Sequence, residues 1–171
     1  MNPKLKITVA LCSIFAVSIS ASTLTQASGK DIVGYEGRLI GEAIFDMVDK
    51  HQNGQVHLGD IEAYRDDVFA GMDENDDGMV NYSEFSQWDP GFLYVAEQVG
   101  RQDAYTTASK IVFSFWDKNG DGDISVREMR LAMIADMQRA DQNDDAVLTK
   151  DEFISGFPII VAMRAAIRPD L

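Results

Sequence analysis

The sequence predicts an all-α protein made of helix–loop–helix repeats, with two duplicated halves packed together. Three observations carry that prediction. Four acidic twelve-residue stretches begin at Asp49, Asp73, Asp117 and Asp141, 24 residues apart inside each half and 68 apart between halves. The 68-residue register continues outside them: Phe45 falls on Phe113, Phe85 on Phe153 and Pro90 on Pro158. A fixed self-similar period of this kind marks an internal repeat. Between the stretches apolar residues recur at helical spacing, and no segment alternates as a long strand. The halves run from about residue 31 to 98 and from about 99 to 166, inside a domain covering 28–171.

The first helix is expected over Asp31–Val48, where Ile40, Ile44, Phe45 and Val48 share one face. Only about a dozen residues then separate the end of loop 1 from the start of loop 2. One helix, Leu58 to about Met72, must leave the first loop and enter the second, and Val126 to about Ala140 must do the same for loops 3 and 4. At ~1.5 Å per residue such a helix is about 20 Å long, which sets its two loops at opposite ends. Loops adjacent in sequence therefore cannot pair. The halves are expected to associate head to tail, with loop 1 beside loop 4 and loop 2 beside loop 3. Val56, Val80, Ile124 and Leu148, at position 8 of the loops, suit a short strand between them.

A short helix from Ser83 to near Trp88 follows loop 2. Asp89-Pro90 is read as an N-cap with proline at the first helical position, and Gly100 as the stop of that helix. Asp103 opens the next helix, which carries Ile111, Val112, Phe115 and Trp116 toward loop 3. The last runs from Lys150 to Gly156, breaks at Pro158 and resumes to about Ile167. Trp88, Phe92, Tyr94, Phe113, Phe115 and Trp116 are assigned to the core. Met129, Met133 and Met137 recur every fourth residue; they read as core between the halves, the alternative being an adaptable surface for a partner helix.

The third stretch, DKNGDGDISVRE, carries the chemistry. Asp117, Asn119 and Asp121 supply side-chain oxygens, Asp123 a backbone carbonyl, Ser125 a hydroxyl acting through water, and Glu128 two carboxylate oxygens. Gly122 permits the sharp turn. A hard cation such as calcium takes about six to eight oxygens in flexible geometry, and this spacing supplies them. The residues resemble the EF-hand family. The resemblance implies the same roles for Asp73, Asn75, Asp77, the Met79 carbonyl, Asn81 and Glu84 in loop 2, with Gly78 at the turn. It implies them also for Asp141, Asn143, Asp145, the Val147 carbonyl, Thr149 and Glu152 in loop 4.

Loop 4 departs at position 6, where Ala146 replaces glycine. A Cβ in a left-handed turn costs roughly 1 kcal/mol or somewhat more, enough to weaken affinity several-fold without abolishing it. Loop 1, residues 49–60, has His51 at position 3, His57 at position 9 and Asp60 at position 12. Imidazole is a poor ligand for a hard cation, and Asp60 is a methylene shorter than glutamate. Loop 1 is expected to be an empty structural partner, with a transition-metal site at His51 and His57 as the alternative. Two to three calcium ions are expected in all.

Four loops at 24-residue steps are also similar to lanmodulin, the lanthanide-binding branch. That branch carries proline at position 2 and aspartate at position 9. Here position 2 is Lys50, Glu74, Lys118 and Gln142, and position 9 is His57, Asn81, Ser125 and Thr149. Calcium is therefore the expected ion, with lanthanide binding the alternative.

Residues 1–27 read as a secretory signal peptide: Lys4 and Lys6, an apolar run from Ile7 to Ile19, then small residues to Ala27. The run is short for a membrane span, so no stable membrane insertion is expected after cleavage. The only cysteine, Cys12, lies in this leader. Removing it takes away two lysines and no acid, moving the formal charge from −13 to −15. Such a chain repels nucleic acid and anionic lipid and attracts cations or basic partners. Asn81 also heads an Asn-Tyr-Ser sequon, and a sugar there would crowd loop 2, which favours a bacterial periplasm. No nucleophile elbow or phosphate loop is present, and the carboxylates are accounted for by the loops. The expected function is an exported calcium buffer or sensor, not an enzyme, with a calcium-dependent interaction or scaffolding module as a further alternative. No protein partner is legible.

Overall fold

The structure is a computed structural model that describes residues 29–168; the expected leader at 1–27 lies outside the described residues. The all-α class is borne out. Among the described residues eight helices carry the fold, and four three-residue strands join the loops. The elements are α1 (Gly29–Val48), β1 (Gln55–His57), α2 (Leu58–Met72), β2 (Met79–Asn81), α3 (Tyr82–Gln87) and α4 (Phe92–Gln98). They continue with α5 (Gln102–Trp116), β3 (Asp123–Ser125), α6 (Val126–Ala140), β4 (Val147–Thr149), α7 (Lys150–Gly156) and α8 (Pro158–Ile167).

β1 pairs antiparallel with β4 and β2 with β3. The registers place Val56 opposite Leu148 and Val80 opposite Ile124, and all four side chains are buried. This is the head-to-tail loop pairing that the 24-residue step requires. Because α2 runs from loop 1 to loop 2 and α6 from loop 3 to loop 4, the two long helices lie antiparallel between the two strand pairs and pack on each other. Their contact is marked by an ion pair between Arg130 and Glu62, 68 positions apart in the chain. Equivalent positions of the two halves thus meet each other, as they must near an approximate twofold axis.

Aromatic packing follows the same relation. Phe45 meets Phe153 edge to face at 5.6 Å, and their counterparts Phe113 and Phe85 meet at 5.5 Å. Each such contact is worth ~0.5–1.5 kcal/mol beyond the area it buries. Phe85 also reaches Trp116, and Phe153 stacks on Phe157. Met129, Met133 and Met137 are buried among them, so the methionine stripe is core. α8 closes the core by packing on α1, α4, α5 and α7.

Two expectations are corrected. Phe92, Phe113 and Trp116 are buried and Trp88 is half-buried, but Tyr94 is 65% exposed and Phe115 66% exposed. α5 buries Tyr105, Ser109, Val112, Phe113 and Trp116, a single stripe at helical period; Ile111 and Phe115 lie one turn apart on the opposite side. Secondly, Pro90 does not open α4. The helix starts at Phe92 behind Gly91, whose φ of 121° is open to few residues other than glycine. Asp89 still caps it, accepting from the Leu93 N–H at 3.0 Å. Pro158, at the matching position of the other half, is the first residue of α8.

Candidate metal centre

The four loops share one backbone conformation. Position 4 is left-handed in each (Gln52, Asp76, Gly120 and Asp144), and so is position 6 (Gly54, Gly78, Gly122 and Ala146). Ala146, at φ 66°, adopts the turn that glycine makes elsewhere. The left-handed bends turn successive amides inward, and the position-1 aspartate collects them. In loop 2 Asp73 accepts from the Asp77 and Gly78 N–H groups; in loop 4 Asp141 accepts from Asp145 and Ala146. Asp117 accepts from Gly120 and Gly122 in loop 3, and Asp49 from Asn53 and Gly54 in loop 1.

Positions 3 and 5 continue the pattern. Asn75, Asn119 and Asn143 accept from the amide two residues on, at 2.8–3.0 Å. Asp77, Asp121 and Asp145 do likewise toward Met79, Asp123 and Val147. The last three are the residues whose carbonyls the sequence nominates as donors. They open β2, β3 and β4, so strand pairing holds their backbones in place.

Position 12 separates loop 1 from the others. Glu84, Glu128 and Glu152 each use one oxygen to accept from the position-9 N–H (Asn81, Ser125 and Thr149). The second oxygen reaches back across the loop: Glu84 to the Asn75 N–H, Glu128 to Lys118 and Asn119, and Glu152 to Gln142. Each glutamate therefore folds over its loop with both oxygens directed at it. Asp60 makes the first contact, with the His57 N–H, but among the described residues it has no counterpart to the second. Its other oxygen lies 3.8 Å from His51 Nε2. One missing methylene accounts for the difference.

Asn81, Ser125 and Thr149 are also helix N-caps, each accepting from the N–H of the position-12 glutamate. Hydrogen bonds to the Ser125 hydroxyl and amide, with those of Asn119 and Lys118, hold the Glu128 carboxyl below the ordinary glutamate range. Glu152 is lowered in the same way, chiefly by the Thr149 amide and hydroxyl. Charged carboxylates poised over a loop are the form a cation needs.

The nominated donors Asp73, Asn75, Asp77, Met79, Asn81 and Glu84 all lie on one loop and its flanking β2 and α3; those of loops 3 and 4 do the same. The carboxylates are not drawn into a tight knot. Among the described residues no group of three or more His, Cys, Asp or Glu side chains is clustered closely enough to hold a metal ion by itself. The donor set instead mixes carboxylates with asparagine amides and carbonyls, which suits a hard, flexibly coordinated cation. The left-handed position 4 escaped the reading of the sequence. Its only signal is that asparagine, aspartate and glycine tolerate φ above zero, and Gln52 does not give even that.

Among the described residues no helix is long and apolar enough to cross a membrane. Neither the curated proteins nor the solved structures yielded a match to the chain. Residues 110–133, from the end of α5 through loop 3 into α6, match the family model described as EF hand. That match supports membership of the EF-hand superfamily, whose members bind calcium generally, and it falls on loop 3.

Proposed function

We propose that the protein is an exported calcium-binding protein that buffers or senses calcium outside the cytoplasm, in a periplasm or beyond the cell. The observation that carries this reading is the position-12 glutamate of loops 2, 3 and 4, closed over a loop whose two left-handed bends recur at the same positions. Asp73, Asn75, Asp77, Asn81 and Glu84 would hold one ion, with the Met79 carbonyl. Asp117, Asn119, Asp121, Ser125 and Glu128 would hold a second, with the Asp123 carbonyl. Asp141, Asn143, Asp145, Thr149 and Glu152 would hold a third, with the Val147 carbonyl, and loop 49–60 would stay empty. Each bound cation supplies positive charge that screens the repulsion among its loop acids. Because loop 1 is paired with loop 4 and loop 2 with loop 3, that charge also ties one half to the other. Metal affinity and folding are thereby coupled.

Export rests on the basic, apolar and small-residue order of residues 1–27. Enzymatic activity forms no part of the proposal. Calorimetric titration of residues 28–171 with calcium, magnesium and a lanthanide tests it. Two to three calcium sites are expected, together with a rise in thermal stability. No heat with calcium and no change in circular dichroism, stability or tryptophan emission would refute it; tight lanthanide binding with no calcium response would replace the ion.

A further inference from the structure

We propose that the outer face of α5, with the adjoining edge of α6, is a docking surface for an acidic amphipathic helix of another protein. Two exposed apolar residues, Ile111 and Phe115, stand one helical turn apart on α5 and are 50% and 66% exposed. Phe115 separates two concavities. The deeper is a cleft of about 250 Å³ between α5, α6 and the start of α8, with Val112, Trp116, Ala132 and Ile159 in its wall. That is room for one large apolar side chain. The shallower lies along Lys110, Ile111 and Ser114. On the other flank, Lys118 is shared with a hollow that extends to Arg127 and the half-exposed Leu131.

The charge of this strip is opposite to that of the molecule. The chain carries a formal −13, yet the basic residues lining the strip are Lys110, Lys118, Arg127 and Arg139. Its acids are Asp136 and Glu128. Asp136 is buried and engaged by Arg139 and by the Trp116 indole N–H, and Glu128 is bonded to the loop 3 amides. Lys110, Lys118 and Arg127 form no ion pair with a carboxylate among the described residues. Exposed apolar residues beside cations that outnumber the acids lining the same strip call for an occupant with apolar side chains flanked by acids. The one-turn spacing of Ile111 and Phe115 matches the i, i+4 anchors of a helix.

A second copy seated through the same face would set the lysines of one copy against those of the other, which like-charge repulsion disfavours. An anionic lipid surface would meet the strip but be repelled by the rest of the molecule. The two concavities beside Phe115 contain no nominated ligand of loop 3, whereas the hollow beyond Lys118 is lined by Asn119, Ser125 and Glu128 of that loop.

Trp116 lines the cleft, so it reports occupancy once Trp88 is replaced. The experiment titrates a Trp88→Phe variant, shown folded by circular dichroism, with two synthetic helical peptides. Both carry Leu and Phe at i and i+4; one has Glu and the other Lys at every polar position. The Glu peptide is expected to change Trp116 emission saturably, and the Lys peptide to leave it unchanged. Adding Phe115→Ser, a change at an exposed site, is expected to weaken Glu-peptide binding about tenfold or more, as loss of a central anchor does. Lys110→Glu with Arg127→Glu is expected to weaken it further at low salt and less at high salt. Equal responses to the two peptides, or Glu-peptide binding indifferent to Phe115→Ser, would overturn the proposal. So would self-association in sedimentation that Phe115→Ser abolishes, since it would give the face to a second copy.

Discussion

Exchanging the residues at position 6 of loops 3 and 4 isolates the cost of a side chain in the left-handed turn. Ala146 sits at φ 66° and Gly122 at φ 95°, in loops of otherwise matching backbone. A Cβ built on Gly122 meets nothing within 4 Å, so Gly122→Ala adds conformational strain without a clash. The left-handed conformation costs an L-residue ~1–2 kcal/mol, and glycine returns ~0.5–1 kcal/mol of that through its more flexible unfolded chain. The net expectation is that Ala146→Gly stabilises by about 0.5–1 kcal/mol and that Gly122→Ala destabilises by a similar amount. If the turn forms only when the loop is ordered around metal, the same energy appears as a two- to five-fold change in calcium affinity, at about 1.4 kcal/mol per tenfold. Urea denaturation measured with and without calcium, beside calorimetric titration of both variants, separates the two cases. The double variant should return close to the parent, since the loops do not pair with each other. Two single variants indistinguishable from the parent in both assays would refute the assignment of strain to this position.

Three further predictions concern other parts of the fold. The double variant H51D/D60E gives loop 1 an oxygen donor at position 3, where the other loops carry asparagine, and the reach of glutamate at position 12, and calorimetry should then count one more calcium site than in the parent. Gly156→Ala places a Cβ 2.8 Å from the Ala140 Cα and 3.1 Å from its carbonyl oxygen, so backbone must shift where α6 and α7 flank loop 4. A loss of about 1–3 kcal/mol by denaturation is expected. Glu128 and Glu152 are lowered below the ordinary glutamate value of 4.5, so the stability they contribute is fully present above that pH and lost as pH falls through their lower folded values. Denaturation between pH 3 and 7 without metal should show this decline, and Glu128→Gln should flatten it.

The spacing of the loops was enough to place α2 and α6, because only about a dozen residues join one loop to the next and one helix must span them. Loop pairing was legible as well, since a helix about 20 Å long cannot bring its own two ends together. Loop 1 could be told from the others by His51, His57 and the shorter Asp60, and the last difference shows as the absence of the second Asp60 contact among the described residues. What depended on packing was not legible. Whether Phe115 or Phe113 faces inward is decided by where α8 and α6 lie against α5, because residues two apart on a helix point about 160° apart and either could have met the core. Pro90 and Pro158 look alike in sequence, but only Gly91 lets the chain turn through φ 121° before α4 begins. The sequence by itself thus determined the helical class and which loops pair, which rest on local rules and chain length. Only the tertiary structure decided which apolar residues remain outside, because burial is settled by neighbours far away in the chain.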